Sequence, residues 1–248
     1  AKRLDLGGHV QPSCHVRVAD PARFGEQSKR VLDADIWFCG DTHGKFAHLR
    51  RAVESPCQRA VIFLGDVQPA LPIEQQLDWL LQRTEVWFVH GNHDADSEEG
   101  FDWLQGSGLS DRNLHGRVVE VAGVRIAGLG GIFRGQVWMP PQPPRYESAE
   151  DFVGSAEWQF VAGLIAASTR STIFQDEWLR LAEQSADVLV THEAPDATHT
   201  GLPPLHIPVI PEQPIQYAMI SQSDSDCAVS PIKLIKRLAP QLPAAPPP

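Results

Sequence analysis

The sequence predicts an α/β fold built around a parallel β-sheet, and two observations support this prediction. Three short apolar runs at 35–39, 60–64 and 85–89 are each closed by a glycine within two residues, as is typical of buried strands. The first two runs are followed by segments with helical spacing, at 44–54 and 72–83. Successive strand–helix units favour parallel strands joined by right-handed crossovers.

The ends of the two helical segments also have a physical reason. Phe46, Leu49 and Val53 recur at helical spacing, and Pro56 stops the helix shortly afterwards. Pro72 suits the first turn of the second helix, where its missing N–H costs nothing.

The second half of the chain predicts a second sheet. Two apolar runs at 116–121 and 124–129 flank Ala122-Gly123, which predicts a β-hairpin with a two-residue turn. A helix is expected at 174–185 and one more buried strand at 187–190.

Composition limits the class of protein. The chain has 248 residues and a formal net charge of −10, which disfavours binding to nucleic acids by phosphate neutralisation. No stretch approaches the roughly 20 apolar residues of a membrane span, and the N-terminal segment lacks the apolar run of a secretion signal. We therefore expect a cytoplasmic protein with no membrane partner. Its four cysteines form no CxxC pair and are expected to be reduced packing residues.

Polar side chains follow four of the predicted strands. Asp41 and His43 come after the first, Asp66 after the second, 92–94 after the third and His192 after the strand at 187–190. Ligand sites in parallel sheets lie outside the carboxyl ends of the strands, so these side chains are expected at one edge. Oxygen ligands mixed with imidazole suit Mn, Fe or Zn better than Ca. The pattern therefore predicts the kind of site that a two-metal hydrolase needs.

Each of these residues has a structural alternative when it is taken alone. An Asp that follows a Gly at the end of a strand commonly forms a turn, in which its carboxylate accepts backbone hydrogen bonds. A single histidine in the position of His192 is commonly a packed or exposed residue. The joint pattern favours the metal site, because four of the predicted strands end in residues able to bind a metal.

Four segments resemble, in order and context, the motifs of calcineurin-like metallophosphoesterases: GDTHG at 40–44, LGD at 64–66, HGNHD at 90–94 and VTHEAP at 190–195. The resemblance covers roughly residues 34–195, and GLGGIFRG at 128–135 is similar to a segment of bacterial members. It implies an α/β sandwich of two central β-sheets flanked by helices. The C-terminal part of that sandwich would be incomplete or altered in this chain.

The resemblance also implies a role for each matching residue. Asp41 and His43 would bind the first of two divalent metal ions, and Asp66 would bridge both. Asn92 and His192 would bind the second ion. Manganese is favoured, with iron or zinc as alternatives.

Two further residues have implied catalytic roles. His93 would be the general acid for the leaving alkoxide, and Asp94 would be its orienting partner, which fixes the imidazole tautomer. A metal-bound hydroxide would be the nucleophile, because the cations lower the pKa of bound water towards ~7.

The sequence departs from the family in two places. GDVQPA at 65–70 lacks the Asp-Arg-Gly continuation of the Ser/Thr protein phosphatases, and GNHD replaces their GNHE, so that group is disfavoured. The family's closing Gly-His-x-His, which supplies one histidine to each metal, is absent. Downstream of His192 only His199 and His206 occur, and neither fits the motif.

The character of the chain changes near Ala194, since more than half of the 21 prolines lie in 195–248. A divergent tail and a shifted reading frame are both open explanations. The expected organisation is an irregular N-terminal segment at 1–32, a metallophosphoesterase domain at 33–195 and a Pro-rich atypical tail at 196–248.

The expected function is metal-dependent hydrolysis of a phosphomonoester or phosphodiester, with a small phosphorylated compound or a nucleotide as substrate. The Pro-rich, aromatic segment 134–158 is expected to be a long surface loop or lid. Arg134 and Arg145 are either phosphate contacts or solvated surface residues. The alternative function is that of a catalytically impaired or inactive member, which acts as a binding protein or has no function.

Overall fold

The computed structural model describes residues 36–52, 59–140, 142–155, 169–193 and 216–219. The predicted irregular segment at 1–32 and most of the predicted tail at 196–248 lie outside these ranges. The described strands and helices follow one another in this order: β1 (Ile36–Cys39), α1 (Ala47–Ala52), β2 (Ala60–Leu64), α2 (Ile73–Gln76), α3 (Asp78–Leu81), β3 (Glu85–Val89), α4 (Glu98–Gln105), β4 (Arg117–Val121), β5 (Val124–Leu129), α5 (Ala149–Val153), α6 (Gln175–Ala182), β6 (Val188–Thr191) and β7 (Gln216–Met219).

The first sheet is parallel and has the order β1-β2-β3, which confirms the prediction. Cys39 pairs with Phe63, and Leu64 pairs with Val89. The three strands therefore end at the same edge of the sheet, and the loops that follow them start side by side.

The second sheet has the order β4-β5-β6-β7. The hairpin of β4 and β5 is antiparallel, as predicted, whereas β5, β6 and β7 run parallel to one another. Strand β7 lies within the segment 196–248 and pairs with β6 through Val188 and Gln216.

The two sheets pack face to face, and helices cover their outer faces. Ile62 and Leu64 of β2 share a buried cluster with Ile126 of β5 and Val190 of β6. The intervening Phe63 points the other way, into a cluster with the helices α1 to α4. Burial of one such large side chain stabilises the fold by about 1.5–3 kcal/mol. This four-layer arrangement confirms the expected sandwich of two central sheets.

Two local features differ from the sequence prediction. The helix expected at 72–83 is divided into α2 and α3, because Leu77 between them has a non-helical φ of −110°. The segment 134–158, expected to form a surface loop or lid, is mostly exposed where the structure describes it, but it contains α5 and turns inwards at Val137 and Trp138, which are both buried. Trp138 meets Phe133 edge to face at 5.2 Å, and its Nε1 donates to the Gln142 carbonyl at 3.0 Å. The aromatic rings are thus buried in an apolar cluster, although the prolines of this segment predicted an exposed loop.

None of the helices in the described ranges has the length and apolar character needed to cross a lipid bilayer.

The hairpin turn gives a first testable prediction. Ala122 and Gly123 both have positive φ, at 51° and 85°. A Cβ at Gly123 would meet nothing within 4 Å, so its cost would be conformational alone. We expect Gly123→Ala to lower the free energy of unfolding by about 1–2 kcal/mol.

Ala122→Asn supplies the comparison of opposite sign, because asparagine tolerates the left-handed conformation better than alanine. We expect this variant to raise the free energy of unfolding by a few tenths to about 1 kcal/mol. Urea unfolding of the three proteins measures both effects. Equal stability of Gly123→Ala and the parent would contradict the left-handed turn.

Candidate metal centre

The loops after β1 and β2 carry four non-glycine residues in the left-handed region: Asp41, His43, Asp66 and Gln68, with φ between 44° and 48°. Such a conformation costs an L-residue roughly 1–2 kcal/mol, and it concentrates at functional sites. The two loops hold each other in this shape. The His43 N–H donates to the Asp66 carbonyl at 2.9 Å, and the Gly44 N–H donates to Val67 at 2.8 Å.

Three of the predicted metal ligands meet at the edge where the strands end. One ligand atom from each of Asp41, Asp66 and His192 lies within 4.8 Å of the other two. Asp66 is 1% exposed and His192 is 3% exposed, whereas Asp41 is half-buried. Asp41 and Asp66 come from the first sheet and His192 from the second, so the site lies where the two sheets meet.

The tautomer of His192 follows from its contacts. Its Nδ1 lies 2.9 Å from the Leu64 carbonyl, which can only accept a hydrogen bond, so Nδ1 carries the proton. In the neutral ring, Nε2 then has a free lone pair. It lies 3.0 Å from Asn92 Oδ1 and 3.5 Å from Asp66 Oδ1. The lone pairs of three donors thus converge, which is the arrangement that a cation requires.

The charge around these side chains also fits a cation. No lysine or arginine among the described residues forms an ion pair with Asp41 or Asp66, although burial makes an uncompensated carboxylate costly. Burial raises the pKa of Asp41, and the neighbouring Asp66 carboxylate raises it further, against the opposing effect of His192. The oxygen and imidazole ligands suit a divalent transition metal.

Two glycines leave room for this cluster. A Cβ at Gly65 would lie 2.7 Å from His192 Cγ, and one at Gly91 would lie 2.8 Å from His192 Cε1 and overlap Asp66. The glycines of GD and GNHD therefore keep the space that the ligands occupy. This is a steric reason for those motif positions.

The structure places His43 outside the cluster of Asp41, Asp66 and His192. Its ring is exposed, and its Nδ1 lies 2.6 Å from Gln68 Oε1. Its expected contact with the first metal ion stays a prediction.

The partner of His93 differs from the expectation. His93 Nδ1 lies 2.8 Å from Asp96 Oδ2, and this hydrogen bond raises the pKa of His93. Asp94 instead accepts from two backbone N–H groups, those of Gly91 at 2.8 Å and Gln68 at 2.7 Å. Asp94 thus ties the third loop to the second. Both of its carboxylate oxygens accept backbone hydrogen bonds, so Asp94 is not the partner of the His93 imidazole.

Burial raises the pKa of Asp94 to about 6, despite the two backbone hydrogen bonds that lower it. In the same loop, the His93 N–H donates to Asp66 Oδ1 at 2.9 Å. The backbone of the third loop therefore helps to orient the central carboxylate of the cluster.

Sequence reasoning missed Gln68 and Asp96. Gln68 occurs where the chain departs from the protein phosphatase pattern, and that departure was the available signal. Asp96 follows His93 by three residues, a spacing that places both on one side of a helical turn. The 3-10 turn at His93–Ala95 brings the two side chains together, but no sequence motif predicted this turn.

Arg134 is half-buried and held by the protein. Its guanidinium donates to Thr172 Oγ1 at 3.1 Å and to Ser171 Oγ at 3.2 Å, and burial lowers its pKa. Arg145 lies over the ring of Tyr146, 5.7 Å from its centroid. Contact of either arginine with a phosphate stays a prediction.

The chain is similar in sequence to known proteins. The model of the calcineurin-like phosphoesterase family matches residues 34–210. An uncharacterized protein of Haemophilus influenzae is 42% identical over 161 residues, which cover 64% of this chain and 70% of the relative. No solved structure matches the chain at a significant level.

Proposed function

The chain belongs to the calcineurin-like phosphoesterase family, and on this premise we propose that it hydrolyses phosphoester bonds through two divalent metal ions. The observation that carries the proposal is the convergence of Asp41, Asp66 and His192 from both sheets on one point, where Asp66 and His192 are buried and Asp41 is half-buried. This family depends on divalent metals, and the donor set of the cluster fits such ions.

Each proposed ligand has an expected role. Asp41 and His43 would hold the first ion, Asp66 would be shared by both ions, and Asn92 and His192 would hold the second. His192 is already oriented for this role, because Leu64 holds its Nδ1 proton and leaves Nε2 free. When bound, the ions activate water and neutralise charge on the phosphoryl oxygens.

The remaining step is the departure of the alkoxide, which needs a proton. His93 is the proposed donor, since it is exposed beside the cluster and a neighbouring carboxylate raises its pKa. A higher pKa keeps a larger fraction of the imidazole protonated at neutral pH, which suits a general acid. Asp94 acts on the same loop by holding its backbone.

We propose a small phosphorylated compound or a nucleotide as substrate, and manganese as the preferred ion with iron or zinc as alternatives. The formal charge of −10 supports a small substrate over a long nucleic acid. The cytoplasmic location stays a prediction.

A second candidate function rests on the absence of Gly-His-x-His from the sequence. His199 and His206, the histidines downstream of His192, lie outside the described residues. With one histidine fewer for each ion, metal affinity would fall, and the chain would then be an impaired family member that binds phosphorylated ligands without turnover.

Manganese-stimulated hydrolysis of matched aryl phosphate monoesters and diesters tests the proposal. We expect turnover that a chelator removes, that Asp66→Asn lowers by at least about 10³-fold and that His93→Ala lowers by about 10²–10⁴-fold. Asp102→Asn on the exposed side of α4 is the control, because it removes one carboxylate away from the cluster.

The two candidates predict different results. Turnover lost in both variants but kept in the control supports the hydrolase. A folded protein without turnover, which still binds phosphorylated ligands, supports the impaired member.

A further inference from the structure

We propose that Gln68 and Asp96 are positioning residues, which form one hydrogen-bonded chain that fixes the rings of His43 and His93. This inference rests on the proposed function, because it assigns roles relative to a metal ligand and a general acid. Neither residue belongs to the four matched motif segments.

The first link of the chain is the pair of His93 and Asp96. Asp96 Oδ2 lies 2.8 Å from His93 Nδ1, and a carboxylate can only accept, so Nδ1 carries the proton. The other ring nitrogen, Nε2, is then the atom available for transferring a proton. Both residues are stiffened by the 3-10 turn at His93–Ala95, in which the Asp96 N–H donates to the His93 carbonyl at 3.2 Å.

The second link is the amide of Gln68. Its Nε2 donates to the His93 carbonyl at 3.2 Å and lies 3.5 Å from Asp96 Oδ2. The amide group is therefore oriented with its nitrogen towards the third loop. Its Oε1 faces the other way and lies 2.6 Å from His43 Nδ1.

The third link fixes His43. Because Gln68 Oε1 can only accept, the proton of the neutral His43 ring lies on Nδ1, and Nε2 keeps the lone pair that a metal ion needs. A metal-binding histidine commonly donates its other N–H to such a partner, which raises its basicity and sets its orientation.

The backbone holds the centre of the chain in place. Gln68 has a left-handed φ of 44°, and its N–H donates to the buried Asp94 carboxylate at 2.7 Å. Asp94 also accepts from Gly91, so one carboxylate ties the second loop, which carries Gln68, to the third loop, which carries His93. The rings of His43 and His93 thus stay adjacent, with centroids 5.8 Å apart.

Leaving-group dependence separates a positioning role of Asp96 from a structural one. A general acid matters most when the leaving group is poor, so its misalignment should harm phenyl phosphate esters far more than 4-nitrophenyl esters. We expect Asp96→Asn to lower kcat/KM for the phenyl ester by about 10–100-fold, with a much smaller loss for the nitrophenyl ester. Asp102→Asn is the charge-matched control. An equal loss on both esters, or no loss, would overturn the role of Asp96.

Two readouts do not depend on turnover. Long-range ¹H–¹⁵N NMR of the neutral imidazoles in the metal-free protein should show His43 and His93 protonated at Nδ1. Asp96→Ala should shift His93, and Gln68→Ala should shift His43, towards the Nε2–H form. Titration with Mn²⁺ alone, followed by the loss of its free-ion EPR signal, should show about 10–100-fold weaker binding in Gln68→Ala.

These outcomes keep the two proposals apart. Unchanged tautomers in both alanine variants would overturn the positioning chain, even if the parent protein hydrolyses phosphoesters. Shifted tautomers support the chain even if the parent shows no turnover, a result that counts against the hydrolase alone.

Discussion

Gly91→Ala is expected to abolish most of the phosphoesterase activity and to weaken metal binding, although Gly91 supplies no ligand. An added Cβ would overlap both Asp66 Oδ1 and the Asp66 backbone nitrogen, and would lie 2.8 Å from His192 Cε1. The backbone nitrogen cannot move aside as a flexible side chain can. The two ligands from opposite sheets would therefore be pushed apart.

The expected loss in kcat/KM is at least ~100-fold, the effect of misplacing reacting groups by about 1 Å. The free energy of unfolding should fall by about 3 kcal/mol, at the upper end of the usual cost of overpacking. Mn²⁺ titration and urea unfolding of the purified variant measure the two effects separately.

Gly135→Ala is the matched control, because a Cβ there would meet nothing within 4 Å. We expect the parent's activity and metal affinity in this variant. Full activity of Gly91→Ala would show that Asp66 and His192 do not approach each other as closely as described, and the candidate site would have to be abandoned.

Asp94→Asn is the second change with a large expected effect, and its effect should depend on pH. The carboxylate accepts two backbone N–H groups, whereas an asparagine turns one NH₂ towards a donor and leaves one buried N–H unsatisfied. Such a loss costs about 1–3 kcal/mol. Turnover should fall as well, because the connection between the second and third loops is weakened.

The pH dependence follows from burial, which raises the pKa of Asp94 from 3.8 to about 6. The folded protein holds this proton more tightly than the unfolded chain. Protonation of Asp94 therefore stabilises the folded state fully below about pH 4, and this stabilisation is lost as pH rises through 6. At about 1.4 kcal/mol per pKa unit, the loss approaches roughly 3 kcal/mol in the metal-free protein. The stability deficit of Asp94→Asn should therefore be largest in acid and narrow above pH 6.

Urea unfolding of both proteins with a chelator, between pH 4 and 8, measures this difference. Asp41, whose pKa is also raised by burial, is present in both proteins. Its effect on stability therefore cancels when the free energy of unfolding of the variant is subtracted from that of the parent. A deficit that stays constant or widens as pH rises would contradict the raised pKa of Asp94.

Much of the fold could be predicted because the local signals agree with the tertiary structure. The runs at 60–64 and 85–89 are buried strands at the predicted bounds, and Ala122-Gly123 forms the predicted turn. Chain order and parallel pairing were sufficient to place Asp41, Asp66 and His192 at one edge.

The remaining features depend on packing and on precise geometry, which periodicity does not encode. Trp138 lies in a Pro-rich segment, yet its ring is buried against the second sheet. The exchange of Asp94 for Asp96 beside His93 results from the 3-10 turn, which directs one carboxylate to the backbone and the other to the ring. Alternation and motif matching treat those two aspartates alike.

The hydrogen bond from His192 Nδ1 to the Leu64 carbonyl joins the residue that follows β6 in one sheet to the end of β2 in the other. The distance between the proposed ligands therefore measures how the two sheets are aligned. A slide of one layer over the other would open the gap between His192 and Asp66 before any strand came apart. Mutations in the intersheet core, for example at Ile62 or Ile126, should thus reduce metal affinity more than they reduce the free energy of unfolding.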